Sequence, residues 1–318
     1  MPDGAFAARH SALARAFERV EGGAGARRWT LVLFLVALGI FALESVALPV
    51  IPGRDFGTYL RYYAQMWDWH SVWPMTMLFR TPLPPLVVGV PLDLAGGWGA
   101  QVVMTVLFAA SVVAWSSTAL AFGRRAALLT AVAMLLFPGY AILFHGLSSD
   151  PVAAAAVAGW ALVLSRAAVK PTPARFARVG VGAAAAALAR PGNQVLIVIA
   201  VLPLALAIPW RRRLVCVASC VAAAVLVLGG WTINNGVRYG DYTVARGGAA
   251  FLPFFRAFTR EHIVAPDNGP DSRRLAQVIQ KDLLTQEPYR SYGVTVQGFF
   301  ARGSDREFED LIGITDRV

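Results

Sequence analysis

Long apolar runs separated by short polar segments dominate the chain between positions 29 and 231. The run at 29–51 is interrupted by one charged residue, Glu44, and the run at 100–122 carries no charge. A helix needs roughly 20 apolar residues to cross the hydrocarbon core of a bilayer. The pattern therefore predicts an all-α polytopic membrane protein with about seven transmembrane helices, which we place at 29–50, 100–122, 126–145, 151–169, 179–190, 194–210 and 214–231.

Two segments depart from a simple spanning pattern. The apolar stretch at 81–99 carries four prolines and Asp93, and a full crossing there would reverse the side of every later loop. We expect a broken, juxtamembrane or re-entrant piece, which must be covered by protein or line a cavity. The run at 179–190 is short and ends at Arg190 and Pro191, so we expect an irregular hairpin with the next helix.

The polar segments divide the chain into three parts. Residues 1–28 are expected to form a basic cytoplasmic tail. This tail is either an amphipathic helix on the membrane surface or a frayed end. Residues 29–231 form the transmembrane module, whose first outer loop is 51–99. Residues 232–318 follow as an extracytoplasmic remainder, with a helix predicted at 272–286 from its caps and apolar spacing. We expect a longer protein, truncated here before further spans.

Composition and charge support a membrane protein with a defined orientation. The chain is 57% hydrophobic and 15% charged, with a net charge of +10. The segments assigned to the cytoplasm hold most of the cations before position 232, as the positive-inside rule requires, so nucleic acid is not needed to explain the charge. Cys216 and Cys220 lie one helical turn apart inside a span and are interpreted as buried packing residues.

Acidic residues are rare in the spanning region, and all are expected at or near its outer face: Glu44, Asp55, Asp68, Asp93 and Asp150. Charges at membrane depth are costly and tend to be functional. The outer interface therefore concentrates the acid–base chemistry available to this module.

Asp55 and Asp150 are the candidate catalytic residues. Asp55 precedes a run with rings on one helical face, Tyr59 among them, which suits a helix in the headgroup layer. Asp150 lies in the short loop "SSDP", one turn after His145. Each aspartate could instead simply cap the helix that follows it. The group could also hold a divalent cation, although no fixed spacing of metal ligands is present.

Arg80, Arg190 and Arg246 are the candidate substrate-binding cations, together with Tyr59 and His145. Each arginine lies at an outer break in the apolar pattern. An isolated arginine there can simply extend its charge to the interface. Three of them near isolated carboxylates favour an anionic lipid headgroup, because a guanidinium binds phosphate oxygens bidentately.

The order of these pieces resembles the GT-C superfamily of membrane glycosyltransferases, in its protein mannosyltransferase and aminoarabinose transferase-like branch (glycosyltransferase family 39-like). The matching segments are "RDFGTYLRYY" (54–63), "FRTPLPPLVVGVPLDLAGG" (79–97), "SSDPVAAAAVAGWALVLSRA" (148–167), "ALARPGN" (187–193) and "WTINNGVRYGDY" (231–242). Asp55 is followed by Phe56 rather than by a second acid, and neither loop contains an Asp-x-Asp motif.

The resemblance implies a GT-C-like module with juxtamembrane helices in the first outer loop. It also implies transfer of a sugar from a polyprenyl-phosphate carrier to an envelope glycan, lipid or protein acceptor, at the extracytoplasmic face of the plasma (inner) membrane. In that scheme Asp55 is the catalytic carboxylate, Asp150 is the aspartate of the short loop and Arg80 is the basic residue before the proline-rich piece.

The chemistry of such a donor fits the residues. The lipid phosphate is a good leaving group, so one carboxylate to activate the acceptor and cations to hold the phosphate are sufficient. A single suitable carboxylate predicts inversion at the anomeric carbon. No cofactor is certain. The alternatives are a non-catalytic GT-C-fold protein that binds lipid or assists assembly, and a transporter or flippase, although no symmetry of paired broken helices is evident.

Overall fold

The structure is a computed structural model that describes residues 24–53, 55–67, 80–240, 242–245, 265–286, 289–291 and 293–302. The chain forms two compact units, Met1–Ala245 and Arg246–Val318. The helix predicted in the basic tail lies before the first described residue. Within the described residues, helices predominate and the two strands are two residues each.

The first unit is built from helices joined by short connections. In chain order its elements are α1 (Ala24–Ala47), β1 (Ile51–Pro52), α2 (Phe56–Met66), α3 (Leu83–Ala119), a 3₁₀ turn (Leu120–Phe122), α4 (Arg124–Leu136), α5 (Pro138–His145), β2 (Gly146–Leu147), α6 (Ser149–Val169), α7 (Pro173–Ala189), a long 3₁₀-helix (Pro191–Ala205) and α8 (Trp210–Tyr239).

Four of the described helices are long and apolar enough to cross a membrane, or five if one bent pair counts as a single span. Their large apolar side chains are widely exposed, as at Leu43, Leu94 and Leu226, which are 74%, 81% and 76% exposed. Soluble proteins rarely expose continuous apolar surface of this extent. The chain is therefore an all-α, multi-pass membrane protein, and the count of seven spans stays a prediction.

The segment at 81–99 is helical but broken. α3 begins at Leu83 and leaves helical geometry at Ala95 and Gly96, where Gly96 has φ 58° and ψ −146°. Glycine adopts positive φ without the steric penalty of a Cβ, so the glycine-rich sequence after Asp93 sets the break. The expectation of a broken segment at 81–99 is confirmed. The second half of α3, residues 97–119, corresponds to the span predicted at 100–122.

Two predicted spans differ in geometry from regular helices. The span at 126–145 is the pair α4 and α5, bent by 57° at Phe137, because a residue before proline avoids the α region. The segment predicted as a helix at 194–210 is helical from Pro191 to Ala205, and its geometry is 3₁₀. With α7 it forms the irregular hairpin expected from the sequence.

Among the described residues, the core of the first unit consists of two larger buried clusters and two smaller ones. Aromatic rings fill the first, where Phe108 packs with its ring centroid 5.0 Å from Phe41 and 5.5 Å from Phe144. The second joins α6, α7 and α8 and includes Cys216 and Cys220, both buried and free, as predicted. At Gly180 a Cβ would overlap the backbone carbonyl of Cys220, so glycine sets the close approach of α7 to α8.

The second unit contains a small helical cluster. Its described elements are α9 (Pro270–Val278), a π-helical turn (Ile279–Leu283) and α10 (Val296–Arg302). Ile279, Leu284, Phe299 and Phe300 form its buried core. The helix predicted at 272–286 is confirmed for most of its length.

Candidate functional site

A two-residue parallel ladder brings the two candidate aspartates to the same end of the first unit. Ile51 pairs with Gly146, and Pro52 pairs with Leu147. The two strands are parallel and therefore end on the same side of the ladder. Asp55 comes three residues after β1, and Asp150 comes three residues after β2. We call this end, defined by β1 and β2, the site end.

Gly53 holds the two loops at close range. Its backbone N–H donates to the carbonyl oxygen of Leu147 at 3.2 Å. A Cβ at Gly53 would lie 2.9 Å from that oxygen and 3.1 Å from its carbon, closer than carbon atoms normally approach. The absence of a side chain at residue 53 therefore allows the first outer loop to pack directly against the backbone of residues 146–148.

Asp55 lies at the start of α2 but does not cap it. Its φ of 63° and ψ of 13° are left-handed, and its side chain accepts no capping hydrogen bond, so the capping interpretation is wrong. The carboxylate instead accepts a hydrogen bond from the guanidinium of Arg80 at 2.8 Å. Among the described residues other than glycine, Asp55 is the one with positive φ. Backbone conformations of this kind cluster at functional sites.

Tyr59 completes this group beneath the arginine. The guanidinium carbon of Arg80 lies 5.6 Å from the centre of the Tyr59 ring, within the range of a cation–π interaction. The ring is buried at 2% exposure, so the surrounding side chains pack it in place beside the arginine. Arg80 is thus held from two sides, while its side chain stays 28% exposed.

α2 is fixed to the rest of the unit along its length. The ring of Tyr63 fills the space that a Cβ would need at Gly89, and its hydroxyl donates to Asp93 at 2.9 Å. That hydrogen bond raises the pKa of Tyr63, because it favours the protonated phenol. The guanidinium of Arg238 donates to the carbonyl oxygen of Met66 at 3.1 Å, which satisfies the helix end. Sequence reasoning found none of these contacts.

Asp150 forms the second acid–arginine pair. Ser148 caps α6, its hydroxyl accepting from the backbone N–H of Asp150, so the capping interpretation of Asp150 is also wrong. The Asp150 carboxylate accepts a hydrogen bond from Arg190, the residue between α7 and the long 3₁₀-helix. The pair borders a cavity of about 350 Å³ that extends to Trp115 and Asn193.

His145 packs against α1, and neither of its ring nitrogens hydrogen-bonds to either pair. It is 3% exposed, and its ring stacks on Phe41 with centroids 4.2 Å apart and an angle of 12°. Its Nε2 lies 3.8 Å from a carboxylate oxygen of Glu44, which is beyond a normal hydrogen bond. The structure therefore places this candidate in the core beneath the ladder.

Two of the residues singled out in the sequence cannot be located in the site. Arg246 and Asp68 lie outside the described residues. The part of the chain that the structure describes contains no group of three or more His, Cys, Asp or Glu side chains that could hold a metal ion, so the Asp–His–Asp cluster considered as a cation site is not formed there. The site is thus defined by Asp55, Arg80, Asp150 and Arg190.

The fold and site define an all-α, multi-pass membrane protein with two carboxylate–guanidinium pairs at one end of an apolar bundle. No protein-family model, curated protein or solved structure matches the chain.

Proposed function

We propose that the protein is a GT-C-like glycosyltransferase, which moves a sugar from a polyprenyl-phosphate donor to an acceptor at the outer face of the membrane. The observation that carries this proposal is the pairing of Asp55 with Arg80 and of Asp150 with Arg190 at the site end. A membrane-bound phosphate needs cations at the interface, and an acceptor needs a carboxylate beside them. Both requirements are met at one end of the module.

Asp55 acts as the general base in this scheme. The acceptor hydroxyl or amine attacks the anomeric carbon, the bond from that carbon to the phosphate oxygen breaks, and the acceptor proton passes to the carboxylate. A positioned base of this kind contributes about 10²–10⁴-fold to a rate. One displacement inverts the anomeric centre, because no covalent sugar intermediate forms.

The arginines hold the departing phosphate. A guanidinium presents parallel donors to two phosphate oxygens, and Arg80 and Arg190 lie partly exposed, at 28% and 59%. Both now bind carboxylates, and a partly exposed pair of this kind contributes about 0–1 kcal/mol. The donor's phosphodiester carries one negative charge, as the carboxylate does, but its two free oxygens match the guanidinium fork. It can therefore displace the carboxylate of Asp55 from Arg80, which frees that carboxylate for the acceptor.

An apolar groove near the site suits the isoprenoid tail. It lies between α1 and the second half of α3, has a volume of about 760 Å³, and is lined by Leu38, Val46, Trp98 and Val102 among others. It reaches Pro49 and Val50, directly before β1, so a tail in this groove would bring its phosphate toward the ladder. Gln101 closes the polar edge by donating to Ser45 at 2.7 Å and accepting from the Val50 N–H at 3.1 Å.

The central test is Asp55→Asn in the full chain. Asparagine also tolerates the left-handed conformation, so the variant removes the charge and keeps the backbone. Asp93→Asn is the matched control, because Asp93 binds Tyr63 rather than an arginine. The assay measures transfer of labelled sugar from a panel of polyprenyl-phosphate monosaccharides in membranes. We expect Asp55→Asn to lose at least about 100-fold in rate, and the control to retain transfer.

The outcomes separate the proposal from its alternative. Full transfer by Asp55→Asn would remove Asp55 as the base. If the unmodified chain bound polyprenyl phosphate but transferred no sugar from any donor in the panel, the protein would be a non-catalytic lipid-binding member of this fold.

A further inference from the structure

A second cavity lies at the opposite end of the same helices. Its volume is about 490 Å³, and its lining includes the polar residues Arg27, Thr30, Ser117 and Arg166 and the apolar residues Phe34 and Val113. These residues come from α1, α3 and α6, so three separate helices build one cavity. Nothing in the proposed transfer reaction uses it.

The helix directions place this cavity far from the site end. In α1, Arg27 lies 17 residues before Glu44, and in α6, Asp150 lies 16 residues before Arg166. At 1.5 Å per residue, these separations are about 25 Å and about 24 Å along the helix axes, close to the thickness of a bilayer core. The two arginines therefore meet on the membrane face opposite the acid–arginine pairs.

The charge around the cavity is one-sided. The carboxylates described in the first unit are Glu44, Asp55, Asp93 and Asp150, and the contacts above place each of them toward the site end. The described residues at the opposite end supply cations, including Arg124, Arg125 and Arg175. Arg175 donates to the backbone carbonyl of Arg166 at 2.8 Å, which fixes the last turn of α6 beside the cavity.

We propose that this cavity binds the phosphate of an anionic phospholipid from the cytoplasmic leaflet. Arg27 and Arg166 approach the phosphate from two helices, and the buried hydroxyl of Ser117 supplies a further donor. Basic pockets between transmembrane helices on the cytoplasmic side bind lipid headgroups of this kind.

The walls favour a lipid over a free phosphate ion. Phe34 and Val113 lie below the polar rim, and the neighbouring Leu31 is 58% exposed, so apolar surface continues from the cavity along α1. An acyl chain can pack along such surface beside the bound headgroup, whereas an inorganic ion has no apolar part to pack against Phe34 and Val113. The inference is independent of the sugar-transfer proposal, because it concerns the other membrane face.

The experiment titrates fluorescent phosphatidylglycerol into the full chain in zwitterionic detergent micelles, with fluorescent phosphatidylcholine as the neutral comparison. The test variant carries Arg27→Gln and Arg166→Gln. The control carries Arg124→Gln and Arg125→Gln, which removes the same charge from exposed positions of α4 that do not line the cavity. We expect the test variant to weaken phosphatidylglycerol binding at least about tenfold, equivalent to about 1.4 kcal/mol, and the control to change it less than about twofold.

Further arms test the cavity itself and identify the ligand. Ser117→Phe fills the cavity without removing charge and should also weaken lipid binding. Equal binding of the two lipids, or equal loss in the test and control variants, would overturn the proposal. Displacement of the lipid by inorganic phosphate at the same concentration as by a water-soluble short-chain phosphatidylglycerol would assign a free phosphate instead, and would also overturn it.

Discussion

The contact at Gly53 allows a sharp test of how the first outer loop is positioned. Gly53→Ala adds a Cβ 2.9 Å from the carbonyl oxygen of Leu147, whereas Gly146→Ala, across the same ladder, adds a Cβ 3.8 Å from the Cα of Gly53. The first contact forces the two loops apart, and the second is an ordinary van der Waals distance. Both residues have negative φ, so backbone strain does not separate the two variants.

The magnitude follows from comparing the two substitutions. Each alanine reduces the flexibility of the unfolded chain, which stabilises the fold by about 0.4–1 kcal/mol. Crowding a packed site costs about 1–3 kcal/mol, and it applies to Gly53→Ala alone. The free energies of unfolding should therefore differ by about 1–3 kcal/mol between the variants, with Gly146→Ala at or above the unmodified protein.

The measurement is unfolding by titration with sodium dodecyl sulfate in mixed micelles, followed by circular dichroism. Sugar transfer in membranes provides a second readout, because movement of the 51–53 segment shifts Asp55 relative to Arg190. We expect transfer to fall in Gly53→Ala and to persist in Gly146→Ala. Equal unfolding free energies for the two variants would refute the argument that the close approach at Gly53 holds the loops together.

Three further predictions concern the contacts around the site and in the core. Arg190→Gln should weaken binding of polyprenyl phosphate about tenfold but change the unfolding free energy by less than about 1 kcal/mol, because its pair with Asp150 is half exposed; lipid binding and unfolding assays check both. The pKa of Tyr63 is raised by its hydrogen bond to Asp93, so this bond stabilises the fold below the ordinary tyrosine pKa of about 10 and is lost as the pH rises through the raised value. Tyr63→Phe should remove that alkaline dependence from unfolding curves. Gly180→Val should lower the unfolding free energy by about 1–3 kcal/mol, because a side chain there overlaps the backbone of α8.

Each of these predictions has a control and a contrary result. Gly159→Val is the control for Gly180→Val, because a Cβ at Gly159 meets no atom within 4 Å; equal destabilisation would contradict the packing argument. Arg190→Lys should bind more lipid than Arg190→Gln but less than the unmodified protein, because lysine keeps the positive charge but lacks the two parallel donors of a guanidinium. Unfolding curves of Tyr63→Phe that keep the alkaline dependence of the unmodified protein would assign it to another group.

The spanning helices were predictable because each must be apolar along its own length to lie in lipid. That property can be read from one segment at a time. The apolar runs located α1, α6 and α8, but only α6 (Ser149–Val169) lies close to the predicted limits, 151–169; α8 (Trp210–Tyr239) extends well past both ends of the predicted span at 214–231. The proline and glycine content of 81–99 also indicated its break, since these residues act on the local backbone. The bend at Phe137 had the same kind of local signal in Pro138, which the apolar count alone did not use.

The pairing of charges was not predictable, because it depends on contacts between distant segments. Asp55 and Asp150 both stand where a capping residue is common, and the sequence does not show that Asp55 takes a left-handed conformation. A capping residue typically lies in the β region, and Asp55 does not; its carboxylate accepts from Arg80 instead. The spacing of Tyr63 and Asp93, thirty residues apart, carries no periodic signal at all.

The geometry of Pro191–Ala205 changes how membrane crossings should be counted in this protein. An α-helix of fifteen residues reaches about 22 Å, which falls short of the hydrocarbon layer. At the 3₁₀ rise of about 2.0 Å per residue, the same segment extends about 30 Å, the full thickness of that layer. A rule that counts residues therefore rejects a segment that ideal 3₁₀ geometry would make long enough. Depth-dependent labelling along its three side-chain rows would measure how far it extends.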